Sequence, residues 1–178
     1  MRGVDGRRPV SAGAGGLGVG ADKAAWRRQL LAARRSLTES QRTAAAQGLA
    51  IQLTVWDRYA GARRIGAYQP MGAEIAPPLD QRTSWPVIDR PAFMPDPIDE
   101  LDILLLPVVG VSLDGTRLGR GAGWYDQLLA ACRLRPFLVA VAYDLQVVDA
   151  LPRDPWDVPV DAICTPTRLV MTGPSSTD

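Results

Sequence analysis

Asp114-Gly-Thr-Arg-Leu-Gly-Arg-Gly-Ala-Gly-Trp-Tyr-Asp126 stands between a short apolar run, Ile103 to Pro107, and a segment of helical character, Gln127 to Cys132. An apolar run, a glycine-rich turn and a helix make a strand–loop–helix unit. Gly119, Gly121 and Gly123 occupy alternate positions just before the helix. Glycine reaches positive φ and lets backbone approach a ligand closely. A helix N-terminus offers unpaired N–H groups and partial positive charge. Such a turn is a phosphate cradle in outline, and Arg117 and Arg120 add guanidinium groups suited to phosphate. The stretch is not a Walker A loop, since no Gly-Lys-Ser/Thr follows, and its glycine spacing is not that of a dinucleotide fingerprint. Alone, the glycines serve a tight connection as readily as an anion site. The arginines and the Trp124-Tyr125-Asp126 finish favour the anion.

Working outward, Leu101 to Pro107 and Phe137 to Tyr143 are nearly continuous apolar runs, as expected of central strands buried on both faces. Arg64 to Tyr68 and Val160 to Cys164 read as further short strands. Asp22 is a good N-cap for a helix from Lys23 to about Ser36, with Trp26, Leu30, Leu31 and Arg34 at helical spacing. Thr38-Glu-Ser-Gln41 is a capping-box pattern. It opens a second helix, about Glu39 to Val55, with Ala45, Leu49, Leu53 and Trp56 as the buried stripe. A third helix is expected over 124–133. Helices alternating with apolar runs predict a three-layer α/β/α fold, Rossmann-like, with a mostly parallel central sheet. The proline-rich stretch from Ile75 to Asp99 reads as loop around a short strand at 84–88. Residues 1–21, rich in glycine, are expected to be a disordered tail. Residues 22–170 form one expected domain and 171–178 a C-terminal tail.

The chain has 178 residues, a length that suits one domain. It has no histidine, which excludes imidazole acid–base chemistry and His metal sites. Catalysis must then rest on carboxylates, Lys, Arg, Tyr or a bound metal. Cys132 and Cys164 are the two cysteines, expected as free thiols in a reducing cytoplasm. No apolar run reaches the ~18 residues of a membrane span. Net charge is +1, but residues 1–35 carry eight cations against Asp5 and Asp22, leaving the remainder acidic. That asymmetry admits an RNA-binding reading, yet basic–aromatic interleaving is missing and no nucleic acid partner is expected. Lys23 and Arg27 lie four apart on one helix face, so they either project into solvent or share an anion. Glu74, Asp126 and Asp157 each read equally as surface or capping acids.

Arg117-Leu-Gly-Arg-Gly-Ala-Gly-Trp-Tyr-Asp126 resembles the nucleotide loop of the 5-formyltetrahydrofolate cyclo-ligase family, also called methenyltetrahydrofolate synthetases. Further matches are Lys23, Arg27 and Arg34 on the first helix, the spacing of Tyr68 to Glu74, and Pro155-Trp-Asp-Val-Pro-Val-Asp161. The resemblance covers roughly residues 22–75 and 100–166. It implies that ATP is bound by Lys23, Arg27, Arg117, Leu118, Gly119, Arg120, Gly121, Ala122, Gly123, Trp124 and Tyr125. It places the reduced folate against Arg27, Gln69, Glu74, Arg120 and Trp124, with Tyr125 facing the substrate, and Mg²⁺ on Asp126 and Asp157. The implied reaction is ATP-dependent closure of 5-formyltetrahydrofolate to 5,10-methenyltetrahydrofolate, carried out by a cytoplasmic monomer with ATP as co-substrate. The chain departs from the family in two ways. Trp156 stands where many relatives have histidine, and the region before residue 100 is shorter and lacks a Gly-Ile-x-Glu-Pro segment. That second departure motivates an alternative, a degenerate member that binds nucleotide or folate without turnover.

Overall fold

A computed structural model describes residues 22–84 and 98–173. In order, the elements are α1 (Lys23–Arg35), α2 (Glu39–Thr54), α3 (Asp57–Gly61), β1 (Ile65–Gly66), β2 (Thr83–Ser84), β3 (Ile103–Pro107), β4 (Gly110–Ser112), β5 (Arg117–Leu118), α4 (Trp124–Ala130), β6 (Phe137–Val141), β7 (Val147–Val148), β8 (Ala162–Cys164) and β9 (Leu169–Met171). Single 3₁₀ turns occur at Ile98–Glu100 and Asp144–Gln146.

Both expected caps form. The Asp22 side chain accepts from the Ala25 amide at 2.6 Å. Thr38 and Gln41 exchange both bonds of the capping box. These bonds satisfy N–H groups that the first turn of a helix leaves unpaired.

The main sheet has six strands in the order β2-β1-β3-β6-β8-β9. All pairs are parallel except β8 with β9. β3 and β6 are in register from Ile103 opposite Phe137 to Pro107 opposite Val141. Strand periodicity divides their side chains between two cores. Ile103, Leu105, Val139 and Val141 pack with Leu49, Leu53 and Tyr59 of α2 and α3. Leu104, Leu106, Leu138 and Ala140 pack with Leu129 of α4 on the opposite face. Ile103 through Leu106 have no exposed surface. Each such side chain contributes about 1.5–3 kcal/mol of burial. This is the expected three-layer α/β/α arrangement, and it explains why the β3 and β6 segments read as unbroken apolar runs.

A second sheet, β5-β4-β7, was not anticipated. α1 lies over it, with Trp26 and Leu30 packed against Val109 and Leu118. Gln146 satisfies the backbone where the chain passes from β3 to β4. Its amide nitrogen donates to Val108 O and Val109 O, each at 2.8 Å, and its oxygen accepts from the Tyr143 amide.

Several boundaries differ from expectation. α4 stops at Ala130 rather than 133, because the chain closes its last turn there and heads for β6. Trp56 is the N-cap of α3 rather than the end of the α2 stripe, and it packs its ring against Phe137. The expected C-terminal tail begins too early at 171. Met171 pairs with Ala162 in β9, and the Thr172 amide still donates to Asp161 O. The expected tail at 1–21 and nearly all of the strand at 84–88 lie outside the described residues. Among the described residues, no helix is long and apolar enough to cross a membrane. Cys132 and Cys164 are free thiols, and burial pushes the Cys164 pKa up to about 12.

Candidate active site

The hairpin β4–β5 delivers the glycine loop. Its turn is held by Asp114, which accepts from Ser112 Oγ at 2.6 Å, Thr116 N at 3.0 Å and Thr116 Oγ1 at 2.9 Å. Burial opposes the Asp114 charge, but these bonds outweigh it and hold the pKa below the ordinary carboxylate value. After Leu118 the chain leaves the hairpin and reaches α4 through Gly121 at φ +111° and Gly123 at φ +64°. Both lie in territory that side-chain-bearing residues rarely adopt. The first helix meets this loop directly: Arg27 Nε donates to Gly119 O at 2.8 Å.

A cleft of about 400 Å³ opens there, lined by Lys23, Arg27, Arg117, Leu118, Gly119, Gly121, Gly123, Asp126, Gln127, Ala130, Asp154, Trp156 and Asp157. That volume suits a small ligand, for which pockets run ~300–1,000 Å³. Nine of the residues singled out from sequence thus converge on one space, namely Lys23, Arg27, Arg117, Leu118, Gly119, Gly121, Gly123, Asp126 and Asp157.

Two of the cleft's cations, Lys23 and Arg117, are paired with carboxylates. Lys23 Nζ donates to Asp154 Oδ2 at 2.7 Å and to Asp157 Oδ2 at 2.5 Å. Burial works against the Lys23 ammonium, but the bonds to Asp154 and then Asp157 outweigh it and raise its pKa. Burial likewise opposes the Asp157 charge, and the Lys23 and Asp154 amide bonds overcome it, so its pKa is lowered. Arg117 Nη2 donates to Asp126 Oδ1 at 2.7 Å, and Val158 N donates to the same oxygen at 3.1 Å. Arg117 is a buried guanidinium whose Nε lacks a partner among the described residues. Such a group is a reserve donor.

A second polar cluster lies outside that lining. Arg120 turns away from the cleft, donating through Nε and Nη2 to Glu74 Oε1 at 3.1 and 2.9 Å and through Nη2 to Met71 O. Glu74, with only 6% of its side chain exposed, also faces Arg34 Nη2 at 3.7 Å and accepts from Met71 N at 3.0 Å. Tyr125 stacks edge-on against Trp124, and its buried hydroxyl has no partner among the described residues. Burial, then the negative charge of Glu74, raises the Tyr125 pKa, with Arg117 opposing. Gln69 and Ala122 are exposed, and neither they, Trp124 nor Tyr125 lines the cleft.

Asp154, Gln127 and Ala130 were not singled out from the sequence. Asp154-Pro155 was a legible turn signal. Nothing local marked Gln127, one helical position beyond the Asp of the loop.

Comparisons with known proteins match the resemblance read from residues 117–126. Residues 81–166 match the model of the 5-formyltetrahydrofolate cyclo-ligase family. A protein of that name from Mycolicibacterium smegmatis is 34% identical over 106 residues, 60% of this chain and 52% of that one. One from Escherichia coli K12 is 38% identical over 74 residues, 41% of each chain. The Haemophilus influenzae protein is 45% identical over 65 residues, 36% of this chain and 35% of that one. The chain spans about half the length, or less, of these curated relatives. Two solved structures share the fold. The 5,10-methenyltetrahydrofolate synthetase of Aquifex aeolicus superposes with a TM-score of 0.71 at 24% identity, covering 88% of this chain and 95% of that one. That of Mycoplasma pneumoniae gives 0.69 at 26% identity, covering 82% and 99%.

Proposed function

We propose that this chain, a relative of the 5-formyltetrahydrofolate cyclo-ligase family through residues 81–166, closes 5-formyltetrahydrofolate to 5,10-methenyltetrahydrofolate with hydrolysis of ATP to ADP and phosphate. The observation that carries this reading is the meeting of the first helix with the glycine loop. Lys23 and Arg27 share one cleft with Gly119, Gly121 and Gly123. A triphosphate there has two cations, the N–H groups of the loop, and Arg117 to neutralise it.

The formyl oxygen is a poor leaving group. Transfer of the γ-phosphoryl group to it makes an activated carbon that the folate N10 attacks. The N10–C bond forms, N10 gives up its proton, the C–O bond breaks, and phosphate departs carrying the oxygen and the proton. Such phosphoryl transfer needs alignment and charge neutralisation more than a protein nucleophile. The lack of histidine is therefore compatible with the chemistry.

Asp126 and Asp157 fit a hard cation. Both are carboxylates lining the cleft, and each already holds a positive group there, the Arg117 guanidinium and the Lys23 ammonium. In this reading they would hold Mg²⁺, which would supply positive charge to neutralise the phosphates. Lys23 exchanges its carboxylate partners for phosphate oxygens. Glu74, Arg120, Tyr125, Trp124 and Gln69 serve the folate, with the Tyr125 hydroxyl, which has no partner among the described residues, as a donor to it.

The test is the ATP-dependent rise of methenyltetrahydrofolate absorbance on adding the purified chain to 5-formyltetrahydrofolate. No product, with ATP still bound, overturns the ligase reading in favour of a degenerate binder.

A further inference from the structure

We infer that Trp156 is the platform on which the nucleobase of the bound nucleotide stacks. This rests on the nucleotide reading of the cleft.

The cleft is lopsided. Its glycine loop, Lys23 and Arg27 suit phosphates, and Asp126 and Asp157 suit their counter-cation. A nucleotide also has a flat, largely apolar ring at its other end. Apolar side chains in the lining are few. Leu118 is 1% exposed and already spent in the core beneath α1. Ala130 offers a single methyl. Trp156 is the one aromatic ring among the described lining residues, and 70% of it is exposed. A tryptophan left in water gives up the burial for which its large apolar surface is suited. A purine laid on the indole recovers that area and adds ring–ring attraction.

The indole is also aimed by a rigid stem. Asp154-Pro155-Trp156-Asp157 is a tight turn in which Asp157 N donates to Asp154 O at 3.0 Å. Asp154 N donates to Asp157 Oδ2 at 2.7 Å, and the Lys23 ammonium ties both carboxylates to α1. Pro155 fixes its own φ at the turn's second position. Binding therefore has only the two side-chain torsions of Trp156 to order, which keeps the entropic cost low. The same turn that presents Asp157 to the phosphate end presents Trp156 at the rim, so one loop spans the ligand.

The experiment is isothermal titration calorimetry of the full chain with Mg-ATP and, separately, with Mg-tripolyphosphate, which has the charges but no base. Wild type is compared with Trp156→Ala and Trp156→Phe. Loss of one base–aromatic stack is expected to weaken Mg-ATP about tenfold to a hundredfold in Trp156→Ala. Tripolyphosphate binding stays unchanged, and Trp156→Phe recovers most of the ATP affinity. Equal loss for both ligands, or no loss for either, overturns the stacking role. Wild-type binding of tripolyphosphate with no preference for ATP refutes the platform while leaving the phosphate site standing. A wild-type chain that binds neither overturns the nucleotide reading as well. The side chain's exposure makes misfolding an easily excluded complication, checked by unchanged far-UV circular dichroism.

Discussion

Arg34→Met is the perturbation whose outcome tests the buried charge cluster most directly. Arg34 is 3% exposed and sits in the last turn of α1. Its Nη2 stands 3.7 Å from Glu74 Oε1, and its Nη1 donates to Val108 O at 3.2 Å. At that separation the attraction is about 4 kcal/mol at an effective dielectric of ~20. Desolvation of the guanidinium offsets part of it; burial lowers the Arg34 pKa and Glu74 only partly restores it. Glu74 keeps Arg120 at 2.9 Å, and Val108 O keeps the Gln146 amide at 2.8 Å. The loss is therefore smaller than the ~3–5 kcal/mol of a fully orphaned buried ion. About 2 kcal/mol is expected, with methionine retaining the packing of the arginine stem. For a domain of this size that lowers Tm by about 4–8 °C. The assay is urea unfolding of the single variants and of Arg34→Met with Glu74→Gln. In the glutamine background the cost of Arg34→Met should fall to about 1 kcal/mol, the worth of the Val108 bond alone. Equal costs in both backgrounds would refute the pairing. A variant as stable as wild type would show that relief of desolvation outweighs the attraction.

Two further outcomes follow from the cleft. Asp157 has a folded pKa below its ordinary 3.8, so its contribution is present above that value and is lost as pH falls through the folded value. Lys23, raised above 10.5, contributes below that value and loses its share as pH rises through its folded pKa. Urea midpoints measured from pH 2.5 to 7 should fall less steeply at the acid end for Asp157→Asn than for wild type; parallel profiles would contradict the pairing. Gly121→Ala forces a side chain to φ +111°, although the new methyl would meet Arg27 Cζ only at an ordinary 3.4 Å. The strain of about 1–3 kcal/mol should appear as a lowered melting temperature together with weaker tripolyphosphate binding, read by thermal melts and calorimetry. Unaltered affinity would mean that the loop does not need its present shape.

The parts of the fold that could be read in advance are those where one local rule decides. Asp22 and Thr38 to Gln41 announce helix starts because capping is a short-range event. The β3 and β6 segments are recognisable because burial on both faces leaves no polar residue to break the run. The small sheet escaped notice because β5 and β7 have two residues each and β4 three. Stretches that short carry no periodicity. β9 is equally silent in the sequence, and its last residue, Met171, falls in the expected tail, because a three-residue strand after a turn has no distinguishing pattern. In the cleft, the glycine spacing and the Lys23–Arg27 pair were visible, since both are local. That Arg120 would leave its neighbours for Glu74, 46 residues away, was not. Long side chains choose partners through tertiary geometry, and nothing adjacent to Arg120 records the choice.

α1 touches both polar clusters. Lys23 and Arg27 reach the cleft from its first turns, and Arg34 lies beneath Glu74 at its end. The eleven helical rises from Lys23 to Arg34 span about 16 Å as a stiff rod. One helix therefore sets the spacing between the cations of the cleft and the buried carboxylate of Glu74.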